Sequence, residues 1–219
     1  MPDFLSGSVR DYLDQLASGE PTPGGGSAAA LTGAMGAALL CMSARFTVGR
    51  EKYAAFEENA STVLEQAEPL RAELQQLADE DAVAYGRYRA ASALPKTTDE
   101  EKAVRHAAVQ GATRASAQVP LAVTRHSYRL LELACMLADH CNPYLVSDVV
   151  VATHFALAAF NSALINVRMN LGSLEDAVFV DRVTRELDEM IPHAPILARQ
   201  ALEKGYHAMN LPIEGDLPV

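Results

Sequence analysis

Two stretches of this chain carry almost no charge, and they restrict its fold more than any other feature of the sequence. Residues 21–44 have none, and residues 149–167 have only His154. Each is long enough to cross a bilayer as a helix. The first opens Pro21-Thr22-Pro23-Gly24-Gly25-Gly26-Ser27 and continues mainly in Ala, Gly and Ser, with few large side chains. The second contains Thr153, His154, Asn161, Ser162 and Asn166, which are costly against lipid. Uncharged helices also form the centre of soluble bundles, where they are buried all round. That reading is taken here, so no membrane partner is expected.

Composition supports it. The chain has 219 residues, 49% of them hydrophobic but only 6% aromatic, with no Trp. Ala, Leu and Val must therefore build the core, and that mixture suits close-packed helices better than sheets. No segment alternates with period two, and no repeat or low-complexity linker interrupts the chain. The expected fold is all-α: a single-domain antiparallel helical bundle over residues 1–219, with about seven to eight helices and the uncharged ones at its core. The net charge of −10 argues against a nucleic-acid partner, which needs a basic face. Cys41, Cys135 and Cys141 are too few and too odd for a disulfide framework. The start, Met1-Pro2-Asp3-Phe4-Leu5, lacks the layout of a signal peptide. Both point to the cytoplasm.

Helix signals divide the chain further. A short amphipathic helix starts near Ser6 or Ser8 and ends at Gly19. Prolines and glycines exclude helix over 20–26, and Ser27 is placed to cap a long helix over 27–47. Helical spacing runs over 54–92, with a kink or break expected near Glu68 because Pro69 follows. Leu94-Pro95-Lys96 is a loop. Thr98 with Asp99, Glu100 and Glu101 starts a helix that runs to about Gln118, and Pro120 fits the first turn of the next, to about 140. Cys141-Asn142-Pro143 is a turn before an apolar helix over 145–171. Ser173 or Leu174 opens another to Met190, and a last helix covers 196–208.

Five groups of residues could carry chemistry. Gly24, Gly25, Gly26 and Ser27 stand before a helix, where exposed backbone N–H groups suit an anion. No Gly-Lys-Ser/Thr follows, so this is not a P-loop, and a loop that lets two helices approach closely is the simpler reading. Gly33 and Gly36 leave little bulk on the following helix, which implies close contact within the subunit or across a dimer. Arg45, Arg50, Lys52 and Tyr53 form the clearest cationic cluster of an acidic chain; they could bind anions or simply complement a helix end. Asp81 falls in the apolar stripe of Val63, Ala67, Leu70, Leu74 and Leu77, which implies burial and a raised pKa. Ser147 and Asp148 open a greasy helix on which Ser162, Asn166 and Asn170 recur at i, i+4 and i+8, and that line should face a polar cavity or another polar residue. The six His make no metal constellation, and no Gly-x-Ser-x-Gly elbow is present.

Taken in order, several of these segments resemble the cyclodeaminase/cyclohydrolase family of tetrahydrofolate enzymes. They are Pro21 to Ser27 with its Ala/Gly helix, Gly49-Arg50-Glu51-Lys52-Tyr53, Asp81-x-x-Ala84-Tyr85, Leu94-Pro95-Lys96 with Thr98 to Lys102, Val119-Pro120, Asn142 to Asp148, and Asn166-Val167-x-x-Asn170. Two positions depart from the family pattern: Glu51 interrupts a basic run, and Cys141 stands where glycine is usual. The likeness is nearest to the stand-alone methenyltetrahydrofolate cyclohydrolases, through the Leu94 to Lys102 stretch and the chain length.

The resemblance implies an all-helical homodimer acting on one-carbon tetrahydrofolates, with no cofactor beyond that substrate and no metal. It implies Asp148, or else Asp81, as acid/base group, with Lys52 also in the catalytic set. Asn142, Asn166 and Asn170 would orient pterin or water, with Ser147 beside them. Arg50, Lys52 and Lys96 would hold the folate carboxylates, Gly24, Gly25, Gly26 and Ser27 would form a second anion site, and Tyr53 would stack or hydrogen-bond. A folate carrier and a purely structural helical dimer are the alternatives.

Overall fold

The computed structural model describes residues 3–213. Residues 1 and 2, part of the segment read above for a signal peptide, and residues 214–219 of the expected domain lie outside the described residues. The elements are α1 (Val9–Leu16), α2 (Gly25–Arg45), α3 (Glu57–Ser92), α4 (Asp99–Leu137), α5 (Val146–Leu171), α6 (Ala177–Met190) and α7 (Ala194–Ala208). Short 3-10 turns at Glu51–Phe56 and Pro143–Leu145 precede α3 and α5. The fold is all-α, and no strand occurs among the described residues.

Helices α2 to α5 form an up-and-down four-helix core. Gly33 of α2 lies against Leu74 of α3 and Ala159 of α5, and Gly36 lies against Ala152 and Phe155. A Cβ at Gly36 would sit 3.2 Å from the Ala152 carbonyl oxygen, so glycine here lets α2 and α5 touch backbone to backbone. The close contact expected of these glycines is thus made within the subunit. The Tyr128 and Phe160 rings meet at 6.3 Å between α4 and α5. Helix α6 runs beside α4, tied by Arg125 to Glu186, and α7 crosses α4 and α5 with Gly205 against Val150. Three buried threonines settle their hydroxyls locally. Thr47, Thr124 and Thr153 donate to the carbonyls of Ser43, Pro120 and Val149 four residues back. More than half of each uncharged helix is buried within the chain, 61% and 56% of the most apolar windows of α2 and α5. That burial answers the membrane reading for their inner faces.

Three sequence expectations are corrected. Helix α4 is a single rod of 39 residues, about 58 Å long, where two helices were expected to meet at Pro120. Packing against α3 and α5 on either side of the proline holds the rod together, and the Thr124 hydroxyl ties the turn below it to the Pro120 carbonyl at 2.8 Å. Pro69 does not break α3 either. It lies on the exposed surface, where water can solvate the carbonyl it leaves unpaired. Helix α6 begins at Ala177 with Asp176 as its cap, accepting the Phe179 N–H at 3.0 Å, not at Ser173 or Leu174. Seven α-helices result among the described residues, in place of the eight spans marked on the sequence.

Candidate functional site

The glycine run does not end before the helix; it enters it. Gly24 is the N-cap of α2, and Gly25, Gly26 and Ser27 form the first turn. Ser27 is fully buried and does not cap its own helix. The missing cap comes from α3. The Asp81 carboxylate accepts the Ser27 N–H at 3.2 Å, and a Cβ on Gly26 would stand only 2.1 Å from Asp81 Oδ1. Glycine at 26 is what lets the carboxylate reach the helix end. Burial pushes the Asp81 pKa up, and the Ser27 N–H only partly opposes this. Behind the pair, the Tyr12 hydroxyl lies 3.1 Å from Ser27 Oγ, and the Phe4 N–H donates to Asp79 at 2.8 Å.

This carboxylate opens into a cleft of about 390 Å³ whose walls include Gly24, Gly25, Gly26, Asp81, Asn166 and Asn170. Of the expected polar line on α5, Asn166 and Asn170 face this cleft, whereas Ser162 is exposed and is not among its lining residues. Asn166 donates its amide N–H to the Ser162 carbonyl at 3.1 Å, and Asn170 donates to the Asn166 carbonyl at 3.0 Å. Each amide uses one N–H within the helix and keeps its second N–H and its oxygen. Sequence reasoning missed Tyr88, Thr113, Ser116 and Pro120 as cleft residues and gave Tyr85 no role. One signal was available: Asp81, Tyr85 and Tyr88 lie at i, i+4 and i+7, on one face of α3.

Ser173, at the rim of the cleft, is held by α4. Gln110 donates to the Ser173 carbonyl at 3.0 Å and accepts the Glu175 N–H at 3.0 Å. His106 with Glu175 and Arg114 with Asp176 pair on either side of this double contact. Nothing in the sequence singles out Gln110, because its partners are backbone groups 63 and 65 residues away.

The remaining predicted residues lie elsewhere in the same chain. At the far end of α2, Tyr53 donates to Asn142 Oδ1 at 2.8 Å, and the Asn142 N–H donates to Thr47 Oγ1 at 2.9 Å. Lys52 Nζ stands 5.5 Å from the centre of the Tyr53 ring. Ser147 and Asp148 lie in the first turn of α5 at this end, Ser147 exposed and Asp148 half-buried. Arg50 is exposed just before the 3-10 turn, and Lys96 is exposed in the loop joining α3 to α4. Helix α2 has 21 residues, so about 30 Å separates the group around Tyr53 and Asp148 from the Asp81 cleft, whereas Lys96 follows the C-terminus of α3, at the Asp81 end of the α2/α3 pair.

A larger groove of about 620 Å³ lies between α3, α4 and α6 and includes Arg87, Arg125 and Arg182. Arg125 is already paired with Glu186, Arg182 stacks on Phe179, and Glu80 lies in the same groove, so its charges are largely balanced internally. Among the described residues, no group of three or more His, Cys, Asp or Glu side chains is arranged to hold a metal ion.

The architecture is that of a helical-bundle enzyme whose cleft sits at one end of a four-helix core. The profile of the family described as "Formiminotransferase-cyclodeaminase" matches residues 8–189, and the chain belongs to that family. A methenyltetrahydrofolate cyclohydrolase of Methylorubrum extorquens is 40% identical over 196 residues, covering 90% of this chain and 94% of that one. The formimidoyltransferase-cyclodeaminase of Rattus norvegicus is 30% identical over 91% of this chain, which spans only 37% of the rat protein. A crystal structure of formiminotetrahydrofolate cyclodeaminase from Thermotoga maritima superposes with a TM-score of 0.77 at 28% identity, covering 93% of this chain and 96% of that one.

Proposed function

We propose that this chain is a methenyltetrahydrofolate cyclohydrolase, converting 5,10-methenyltetrahydrofolate and water to 10-formyltetrahydrofolate, and that residues 1–219 act as one domain. The observation that carries the mechanism is Asp81: a half-buried carboxyl with a raised pKa, fixed against the α2 N-terminus and open to a cleft of about 390 Å³. The near-complete mutual coverage with a stand-alone cyclohydrolase supports the choice of reaction.

The bridging carbon of the substrate is an electrophilic amidinium. A water oxygen bonds to it while Asp81 takes one of the water protons, giving a neutral carbinolamine. Asp81 then returns that proton to the departing ring nitrogen, the carbon–nitrogen bond breaks, and the hydroxyl proton goes to solvent as the formyl C=O forms. A carboxyl with a raised pKa suits both transfers, because it must hold the proton between them. Asn166, Asn170 and the α2 amides orient the ring, and the step as written uses no metal or redox group.

The far group of Lys52, Tyr53, Asn142, Ser147 and Asp148 joins this site through a homodimer. The outer faces of α2 and α5 carry exposed Met35, Phe46, Val151 and Ile165 and little charge, which favours a second copy as their cover. Laid antiparallel across a two-fold axis, that copy brings its own Asp148 end against the Asp81 cleft. Lys52, Arg50 and Lys96 then serve the folate carboxylates. Cytoplasmic placement is supported by three free thiols, two of them buried with pKa values pushed up to about 12 by that burial.

The assay is direct. Purified protein is added to 5,10-methenyltetrahydrofolate and the absorbance followed; accelerated loss is expected, and loss at the spontaneous rate overturns the reading. The cyclodeaminase reaction is the second reading, favoured by the Thermotoga fold match. Ammonia release from formiminotetrahydrofolate in a parallel assay would establish it instead.

A further inference from the structure

We infer that Gln110 is a positioning residue for substrate binding: its side-chain amide clamps the connector between α5 and α6, and so holds in place the cleft wall to which Asn170 and Ser173 belong. The connector is short, residues 172–176, between Leu171 at the end of α5 and Ala177 at the start of α6. Asn170 and Ser173 both line the cleft that contains Asp81. Gln110 is not among the residues lining that cleft; it borders a neighbouring cavity of about 320 Å³ with Leu174 and Glu175. What it does for the substrate it therefore does through the connector.

A glutamine side chain offers an N–H donor and a carbonyl acceptor, the same pair that a peptide unit offers. Gln110 spends both on the backbone of the connector. Its N–H donates to the Ser173 carbonyl and its oxygen accepts the Glu175 N–H, each at 3.0 Å. His106 and Arg114, one turn to either side on the same face of α4, pair with Glu175 and Asp176. Both pairs are open to solvent, which screens them, and they grip side chains and not backbone. The two directional bonds of Gln110 fix where the backbone at Ser173 sits.

From Ser173 the constraint passes into the cleft wall. The Ser173 N–H donates to the Asn170 carbonyl at 3.1 Å, and its hydroxyl donates to the Met169 carbonyl at 3.5 Å. Both carbonyls belong to the last turn of α5, which has no further turn of its own helix to hold it. Helix ends are the parts that open first, so this turn depends on what grips the residues after it. Met169 and Asn170 line the cleft as Ser173 does. Asp81 is fixed separately, by its bond to Ser27 of α2. The clamp thus governs the wall that binds the ring and not the group that moves the proton. This inference rests on the proposed folate reading and deepens it, by naming what holds the ring-orienting wall in place.

The test separates KM from kcat with 5,10-methenyltetrahydrofolate as substrate. Gln110→Met keeps the length of the side chain and loses both hydrogen bonds. Its KM should rise roughly 3- to 10-fold, the range for one hydrogen bond, with kcat within about twofold of wild type, the pattern of lost binding. Gln110→Glu keeps the acceptor for the Glu175 N–H but turns a carboxylate towards the Ser173 carbonyl. It should raise KM at least as far, and it carries the test if the methionine variant does not fold, which thermal melting shows. Arg114→Gln is the control: it breaks the adjacent pair with Asp176, leaves the clamp intact, and should keep KM within about twofold. An unchanged KM in a folded Gln110 variant, a loss confined to kcat, or an equal KM rise in Arg114→Gln overturns the inference while leaving the folate reading intact. Absence of turnover by wild type overturns both.

Discussion

Asp81 of α3 caps a helix to which it does not belong. Its carboxylate accepts the N–H of Ser27 in the first turn of α2 at 3.2 Å, across 54 residues of sequence. Most helix caps are local side chains; here the N-cap is Gly24, which has none to offer. One half-buried carboxyl therefore completes a helix end and faces a cleft at once, and the two duties oppose each other.

That opposition is measurable in Asp81→Asn. The amide keeps an oxygen for the Ser27 N–H but cannot exchange a proton, so kcat should fall by about 10²- to 10⁴-fold. Stability should move the other way. A carboxyl whose folded pKa is raised costs the folded state increasingly as pH climbs from its unfolded value through its folded one. The variant should melt above wild type at neutral pH, with the gap closing as pH drops below the ordinary aspartate range. Unchanged turnover would remove Asp81 from the reaction.

Gly26→Ala tests the approach of the two elements. Alanine favours a helix by about 1 kcal/mol, yet its Cβ would stand 2.1 Å from Asp81 Oδ1, so the carboxylate must retreat. Activity should drop at least about tenfold, in line with catalytic geometry lost by displacement of about 1 Å. The same substitution at Gly25, where an added Cβ meets nothing within 4 Å, is the matched control and should retain more activity.

Acid stability should depend on Glu68. It joins Arg45 of α2 to Arg71 of α3, and the two guanidiniums, Arg71 first, hold its carboxyl at a pKa of about 2. The stabilisation is present above the ordinary glutamate value and is lost as pH falls towards about 2. Solvent screens this half-exposed group, so Glu68→Gln should cost only about 1 kcal/mol at neutral pH. Melting curves of the two proteins should converge in acid; a constant difference would show that the loss is packing, not charge.

Val151→Glu probes the apolar α2/α5 face without touching the cleft. Val151 is 43% exposed, so a monomer tolerates the charge, whereas a dimer seam does not. Sedimentation should show a monomer with reduced kcat/KM. A variant of wild-type mass and activity would move the interface elsewhere.

Much of this was readable from periodicity. The uncharged helices, the glycine-led start of α2 and the asparagine line on α5 all follow from spacing, and Asp81 stood out as a charge in an apolar stripe. What stayed hidden depended on partners distant in sequence. Pro120 reads as a helix start because a single chain segment does not reveal that α3 and α5 brace the rod through it. Ser27 reads as a cap because Asp81 is 54 residues away. The single site assembled from motifs separates into two ends of one antiparallel helix pair, because order along a chain carries no information about which helix ends coincide.

Helix α1 covers the rear of the Asp81 cap, with Tyr12 buried against Ser27 and its own hydroxyl pKa raised mainly by burial, with Asp81 and Asp79 adding. It has only eight residues and is nucleated by a reciprocal capping box between Ser8 and Asp11. It works as a gasket. Weakening it, through nothing nearer the chemistry than Ser8, would let water reach the carboxyl from behind and loosen its grip on a proton. The acidity of the cleft is in this sense tuned from the outer surface of the molecule, by a contact that no substrate touches.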